Sequence, residues 1–319
     1  MLLLLQYTLI FASVLALVAL GGCFSEHSGV INIGLEGIMV IGALGGALMM
    51  KYLPDSTAAP FVILLVILAS VAAGMIFSLF LGVAAINFNA DQTLVGTALN
   101  LPGPAAAVVI VRAINMAESI DNVSSTVAYK QAKKAFLVNI GGFEFNWFML
   151  IALILLILSY VVLYKTKFGL RLLACGEHPQ AADSVGINVY KMRYAGVTIS
   201  GALAGMGGFV YALTTANCTA NGDVAGFGFL ALAVMIFGNW KPVNIAVSSL
   251  LFGLFKCIAA SYASIDINGD GIFMLAEIGI SAHFYRMLPY IVTLLVLAFT
   301  SKSSRAPKAE GIPYDKGQR

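Results

Sequence analysis

Two polar residues, Asn32 and Glu36, interrupt the apolar run GVINIGLEGIMVIGAL near the start of the 319-residue chain. A carboxylate inside a membrane span costs about 2.5–3.5 kcal/mol on insertion scales, so it needs a cavity, a partner or a helix break. On a continuous helix, their spacing of four places both side chains on one face. Two interpretations stay open: both residues line a translocation path, or Glu36 caps a broken helix. Three glycines favour a break: Gly29, Gly34 and Gly37.

A second polar cluster, NFNADQTLVGTALN, covers residues 87–100 and enters another apolar segment. Its amides Gln92 and Asn100 are candidates for the same path. Amide side chains both donate and accept hydrogen bonds, which suits a neutral, hydroxyl-rich solute. The alternative is that Asn89, Asp91 and Gln92 only cap the helix that starts there.

The loop DINGDGIFMLAE fits a calcium-binding pattern, with oxygen ligands at Asp266, Asn268, Asp270 and Glu277. A lone loop of this kind, between two apolar segments, lacks the paired helices of the usual site. The alternative is an exposed polar turn, which Asn-Gly and Asp-Gly favour. We adopt the turn and predict no metal.

The composition places the chain in a membrane. It is 60% hydrophobic and 10% charged, whereas soluble domains carry about 25% charged residues. The apolar runs do not alternate as barrel strands do, so they predict helices of about 20 residues. We expect an all-α, polytopic transmembrane bundle over residues 1–300, of about nine apolar segments, one of which could be re-entrant. The segments lie near 2–22, 29–50, 60–86, 92–112, 146–164, 192–217, 226–239, 243–263 and 287–300.

Basic residues cluster in the 165–193 loop and in the 301–319 tail, with five in each. Lysine and arginine accumulate in cytoplasmic loops, so both regions are predicted to be cytoplasmic. The four segments between them are an even number, which agrees with this assignment. The side on which the N-terminus lies stays open.

Motifs for catalysis are missing from the sequence. It contains no phosphate-binding loop, no HExxH and no GxSxG. We therefore predict neither an enzyme nor a catalytic residue, and no cofactor. The net charge of +3 is too small to suggest nucleic acid as a partner.

Five blocks of the chain together resemble one protein family: GVINIGLEGIMVIGAL, ADQTLVGTALN, the region 168–208, GFGFLALAVMIFGNWKP and RMLPYIVTLLVLAF. The family is that of bacterial ABC importer permeases for nucleosides and simple sugars, of the branched-chain amino acid and ribose type. The overall similarity is greatest to the nucleoside-type permeases. The resemblance implies inward transport by alternating access, across the bacterial cytoplasmic membrane.

The resemblance also implies partners: a cytoplasmic ABC ATPase, a second homologous permease, an extracytoplasmic binding lipoprotein and the membrane lipid. It implies that residues 175–190 form a coupling helix seated on the ATPase. Gln180 stands where the family's motif has its leading glutamate. The predicted coupling residues are Glu177, Gln180, Ala181, Ala182, Asp183 and Gly186.

Two alternatives stay open at this point. One is a sugar permease of the ribose or galactose type. The other is an ion-coupled secondary transporter, which usually carries several ionisable residues deep in its spans. Only Glu36 clearly qualifies here, and the large basic loop would have no purpose in such a carrier.

Overall fold

The computed structural model describes residues 2–54, 56–128, 136–140, 143–215, 219–262, 281–300 and 305–317. Within these ranges the chain forms twelve α-helices. They are α1 (Leu2–His27), α2 (Leu35–Tyr52), α3 (Ala59–Gly82), α4 (Gln92–Leu99), α5 (Pro102–Glu118), α6 (Trp147–Lys165), α7 (Lys167–Glu177), α8 (Pro179–Ser184), α9 (Val189–Thr214), α10 (Phe227–Phe237), α11 (Pro242–Ser261) and α12 (Ala282–Thr300). A π-helical turn, Val83–Asn87, extends α3.

The all-α, polytopic class predicted from the sequence is confirmed. Among the described residues, seven spans are long and apolar enough to cross a membrane, with α4 and α5 counted together as Gln92–Glu118. The two remaining predicted segments, 226–239 and 287–300, are also helical but are not among these seven spans. They correspond to α10, which has only 11 residues, and α12, which has 19. Each of the nine predicted segments thus contains helix, but the predicted count of about nine crossings is not confirmed.

Helices α1 and α9 form the centre of the bundle, and α9 packs against α1, α2 and α3. Glycines bring the backbones of these helices into contact. A Cβ placed on Gly42 of α2 would lie 2.2 Å from the Gly205 Cα of α9, and one on Gly74 of α3 would lie 2.2 Å from the Gly201 carbonyl oxygen. Such close approach replaces the missing hydrophobic drive between helices in lipid.

Two small antiparallel pairings add strands to the helical architecture. Strand β1 (Val127–Ala128) pairs with β4 (Thr219–Ala220), and β2 (Leu137–Ile140) pairs with β3 (Phe143–Asn146). The first pairing joins the chain that follows α5 to the chain that follows α9. The two connections therefore lie at the same end of the bundle.

Candidate functional site

A buried break separates α1 from α2. Residues 28–34 are not helical, and the side chains of Ser28, Val30 and Asn32 are completely buried. Gly29, with φ of +91°, turns the chain as its N–H donates to the Glu26 carbonyl at 2.9 Å. Irregular backbone at membrane depth is tolerated only where protein or a water-filled cavity satisfies it.

The two amides predicted for the path supply that satisfaction. The Ile31 N–H donates to Gln92 Oε1 at 2.8 Å. Asn100 binds twice: its Nδ2 donates to the Ile33 carbonyl at 3.0 Å, and its Oδ1 accepts from the Gly37 N–H at 2.9 Å. Gln92 and Asn100 therefore clamp the break from the start and the end of α4.

Helix α4 lies in direct backbone contact with the break. A Cβ on Gly96 would lie 3.0 Å from the Ile33 nitrogen and 3.1 Å from the Gly34 nitrogen. The capping alternative is correct for Asp91, whose Oδ1 accepts from the Leu94 N–H at 2.9 Å. Any small movement of α4 must therefore displace the break.

Asn32 is held by a residue that the sequence analysis missed. Its Nδ2 donates to Ser200 Oγ of α9 at 2.8 Å. Within the described part of the chain, Asn32 Oδ1 and Gln92 Nε2 are buried without a hydrogen-bond partner. Unpaired buried polar atoms are rare and call for an explanation. The break therefore contains one acceptor and one donor that the described part of the fold does not pair.

Glu36 binds the N-terminus of another helix, α10. Its Oε1 accepts from the Gly226 N–H at 2.8 Å and its Oε2 from the Gly228 N–H at 2.6 Å. A helix N-terminus carries partial positive charge and unpaired N–H groups, so a carboxylate suits it. This is the geometry of a cap. The expectation that Asn32 and Glu36 share a helical face is wrong, because α2 begins only at Leu35.

A cation lies beside the same helix terminus. Lys256 Nζ of α11 donates to the Ala225 carbonyl at 3.3 Å and lies 4.6 Å from the centre of the Phe227 ring. Lys256 was not among the predicted site residues. It lies inside the apolar segment 243–263, where a charged side chain is as costly as Glu36 is in its own segment, and this cost is a signal for Lys256 in the sequence.

The predicted coupling helix is interrupted twice, at residue 178 and at residues 185–188. The single helix expected over 175–190 is wrong: α7 ends at Glu177, α8 covers Pro179–Ser184, and α9 begins at Val189. Helix α8 buries Pro179 and Ala182. The other predicted residues lie outward: Glu177, Gln180, Ala181 and Gly186 are exposed, and Asp183 is half-buried.

Gly186 and Val185 form the tip of this region. Gly186 has φ of +83°, and a Cβ there would meet no atom within 4 Å. Val185 is 74% exposed. The candidate calcium ligands Asp266, Asn268, Asp270 and Glu277 lie outside the described residues.

Comparisons with known proteins agree with this architecture. The family described as "Branched-chain amino acid transport system / permease component" matches residues 4–297. The chain is 40% identical to the guanosine ABC transporter permease protein NupQ of Bacillus subtilis (strain 168), over 98% of this chain and 96% of NupQ. It is 39% identical to the nucleoside ABC transporter permease protein NupC of Lactococcus lactis subsp. cremoris (strain MG1363), over 97% and 96%. No solved structure matches.

Proposed function

Because the chain belongs to the family of branched-chain amino acid transport system permease components, we propose that it is the membrane subunit of an ABC importer for nucleosides. The observation that carries this proposal is the 40% identity to a guanosine permease over 98% of the chain. The seven apolar spans among the described residues, together with the family match, make it a multi-pass membrane protein.

The chemistry of the break supports a neutral, polar solute. Asn32, Gln92 and Asn100 present amides, which donate and accept, and no described charge lies among the hydrogen-bond partners of the break. A nucleoside offers ribose hydroxyls and the donors and acceptors of its base, and amides complement both. In alternating access, a movement of α4 would free these amides from the backbone and turn them toward the solute.

The coupling region supports energy input from a separate ATPase. The outward residues of α7 and α8, with the exposed tip at Val185 and Gly186, present a surface for a cytoplasmic partner. We propose that residues 165–193 form the cytoplasmic coupling loop and that the C-terminus lies on the same side. A second homologous permease and an extracytoplasmic binding lipoprotein complete the proposed assembly in the bacterial cytoplasmic membrane.

The test is transport by the purified assembly in proteoliposomes. We expect labelled guanosine to accumulate only when ATP and the binding protein are both present. Excess unlabelled nucleosides should compete, and excess ribose or galactose should not. Accumulation by this chain alone under a proton or sodium gradient would support the secondary transporter. Uptake of ribose or galactose in place of guanosine would support the sugar permease.

A further inference from the structure

The C-terminal segment 305–317 is fixed to the bundle, although the sequence suggests only a basic tail. The Arg305 N–H donates to Asn239 Oδ1 at 2.8 Å, in the turn that follows α10. The Ala309 N–H donates to the Gly176 carbonyl of α7 at 2.8 Å. A segment without helix or strand thus gains its order from contacts with other elements.

The segment completes the small core beneath the coupling helices. Tyr314 is 3% exposed and packs in one apolar cluster with Cys175 of α7, Ala182 of α8 and Val189 of α9. Its ring centre lies 5.4 Å from that of Tyr190. Any displacement of α7 or α8 must therefore reach Tyr314, because packed side chains transmit strain.

Arg193 of α9 joins this segment to the break. Its side chain is 1% exposed, and its Nη2 donates to the Ile312 carbonyl at 2.9 Å. The guanidinium carbon lies 5.9 Å from the centre of the Tyr314 ring. The same Nη2 also lies against the break, since a Cβ on Gly29 would be 3.0 Å from it. One side chain therefore contacts both the C-terminal segment and the first turn of the break.

Burial of Arg193 is costly, which argues for a role. Among the described residues it forms no ion pair with a carboxylate, and its Nε has no hydrogen-bond partner. A buried charge without a counter-ion carries a large desolvation penalty. The C-terminal segment also touches the break directly, since a Cβ on Gly311 would lie 2.8 Å from Ile31 Cδ1.

We propose that Arg193 is a positioning residue for ATP-driven transport. Through the Ile312 carbonyl and the Tyr314 ring, it holds the C-terminal segment between the coupling helices and the α1–α2 break. A displacement of α7 and α8 by the ATPase then reaches the break through this segment as well as through α9. The inference rests on the proposed function, because it requires a partner that moves the coupling helices.

The experiment uses the complete assembly in proteoliposomes and measures guanosine imported per ATP hydrolysed, for each assembled complex. We expect Arg193→Met and Tyr314→Ala to lower this ratio by about tenfold, within the roughly 5- to 150-fold range of coupling between sites. ATP hydrolysis should continue. Arg193→Lys, which keeps a cationic donor, should restore part of the ratio.

Ile312→Ala is the matched control. It removes a side chain that is 54% exposed but keeps the carbonyl that Arg193 binds, so it should retain the parent's ratio. Parent-like ratios in Arg193→Met and Tyr314→Ala would overturn the proposal. If only one of these two variants assembles, the ratio of guanosine imported per ATP hydrolysed in that variant alone tests the proposal. Failure of both to assemble assigns the contact to folding and also overturns it.

The same data separate this inference from the proposed function. If the parent assembly imports no guanosine with ATP, the proposed function fails and the inference falls with it. If the parent imports guanosine and the variants match it, only the role of Arg193 is refuted.

Discussion

The break and the coupling region are both interruptions of helix, but the side chains that stabilise them come from different distances along the chain. In the break, Asn32 binds Ser200, 168 residues further on, and Ile31 binds Gln92, in addition to local bonds such as that from Gly29 to Glu26. In the coupling region, neighbours cap the N-termini of α7 and α9, although the distant Ala309 N–H also donates to the Gly176 carbonyl. Thr166 Oγ1 accepts from the Gly169 N–H, and Asn188 Oδ1 accepts from the Lys191 N–H.

This difference follows from the solvent around each region. Helix ends near water can leave backbone groups to water and need only a local cap. A break inside a membrane bundle is shielded from bulk water, so distant side chains add to its local bonds. The caps of α7 and α9 need no other helix, whereas the distant bonds make the break depend on α4 and α9.

The largest effect should come from removing the bonds between Asn100 and the break. Asn100→Leu leaves the Ile33 carbonyl and the Gly37 N–H unpaired. Each unpaired buried group lowers the free energy of unfolding by about 1–3 kcal/mol. We expect a lower unfolding temperature of the detergent-purified protein and loss of guanosine uptake.

Thr97→Val is the control on the same helix, because among the described residues the Thr97 hydroxyl binds the Thr93 carbonyl of its own turn and not the break. It should behave like the parent in both measurements. If Asn100→Leu unfolds at the parent's temperature, the amide clamp does not stabilise the break.

The next effect should come from the cap that Glu36 places on α10. Both carboxylate oxygens accept, one from Gly226 and one from Gly228. Glu36→Gln keeps one acceptor and turns an amide NH₂ toward the other donor, so it should lower the free energy of unfolding by about 1–3 kcal/mol. Glu36→Leu removes both acceptors and should lower it further. Thermal unfolding and uptake at equal membrane abundance should rank parent, Gln and Leu in that order.

A different ranking would identify the role of Glu36. Equal failure of Gln and Leu in uptake, with parent-like stability of Gln, would show that the charge itself is needed. Parent-like uptake by Glu36→Leu would exclude Glu36 from both the path and the fold.

The two regions also differ in how much the sequence predicts. The nine apolar segments, the capping by Asp91 and the polar candidates Gln92 and Asn100 all followed from hydropathy, local spacing or the cost of burial. Their partners did not. Nothing near Glu36 indicates Gly226, 190 residues away, and a lone serine such as Ser200 carries no signal in a helix. The docking of residues 305–317 was equally invisible, because a short polar tail has no periodicity.

A smaller effect, confined to coupling, should come from the exposed tip. Val185 is 74% exposed, so Val185→Asp should leave the unfolding temperature of the isolated permease unchanged. Changing an interface residue that contributes to binding costs more than about 1 kcal/mol, and an aspartate at an apolar contact would also bury an unpaired charge. We therefore expect weaker ATPase association and lower uptake. Ser184→Ala is the control: it loses a bond to the Ala181 carbonyl of its own helix and should leave ATPase association and uptake unchanged. If Val185→Asp associates with the ATPase as the parent does, the tip is not part of the interface.

The smallest effect should be a pH dependence of C-terminal docking. Burial raises the pKa of the Glu310 carboxyl, and a hydrogen bond with Glu26 of α1 opposes part of that rise. Because the pKa is raised in the docked state, docking favours the protonated acid. Its contribution is fully present below the ordinary glutamate pKa and is lost as the pH rises through the raised value, by at most about 1.4 kcal/mol per pH unit.

Trypsin cleavage after Lys308, which is exposed, can report this undocking. The intact segment should resist cleavage at low pH and be cut faster as the pH rises. Glu310→Gln keeps the neutral form at every pH, so it corrects for the pH dependence of trypsin itself. The ratio of parent to Glu310→Gln cleavage rates should therefore increase with pH. A constant ratio would show that the Glu310 proton does not contribute to docking, and that the distant contacts of Arg193 and Ala309 hold the segment without it.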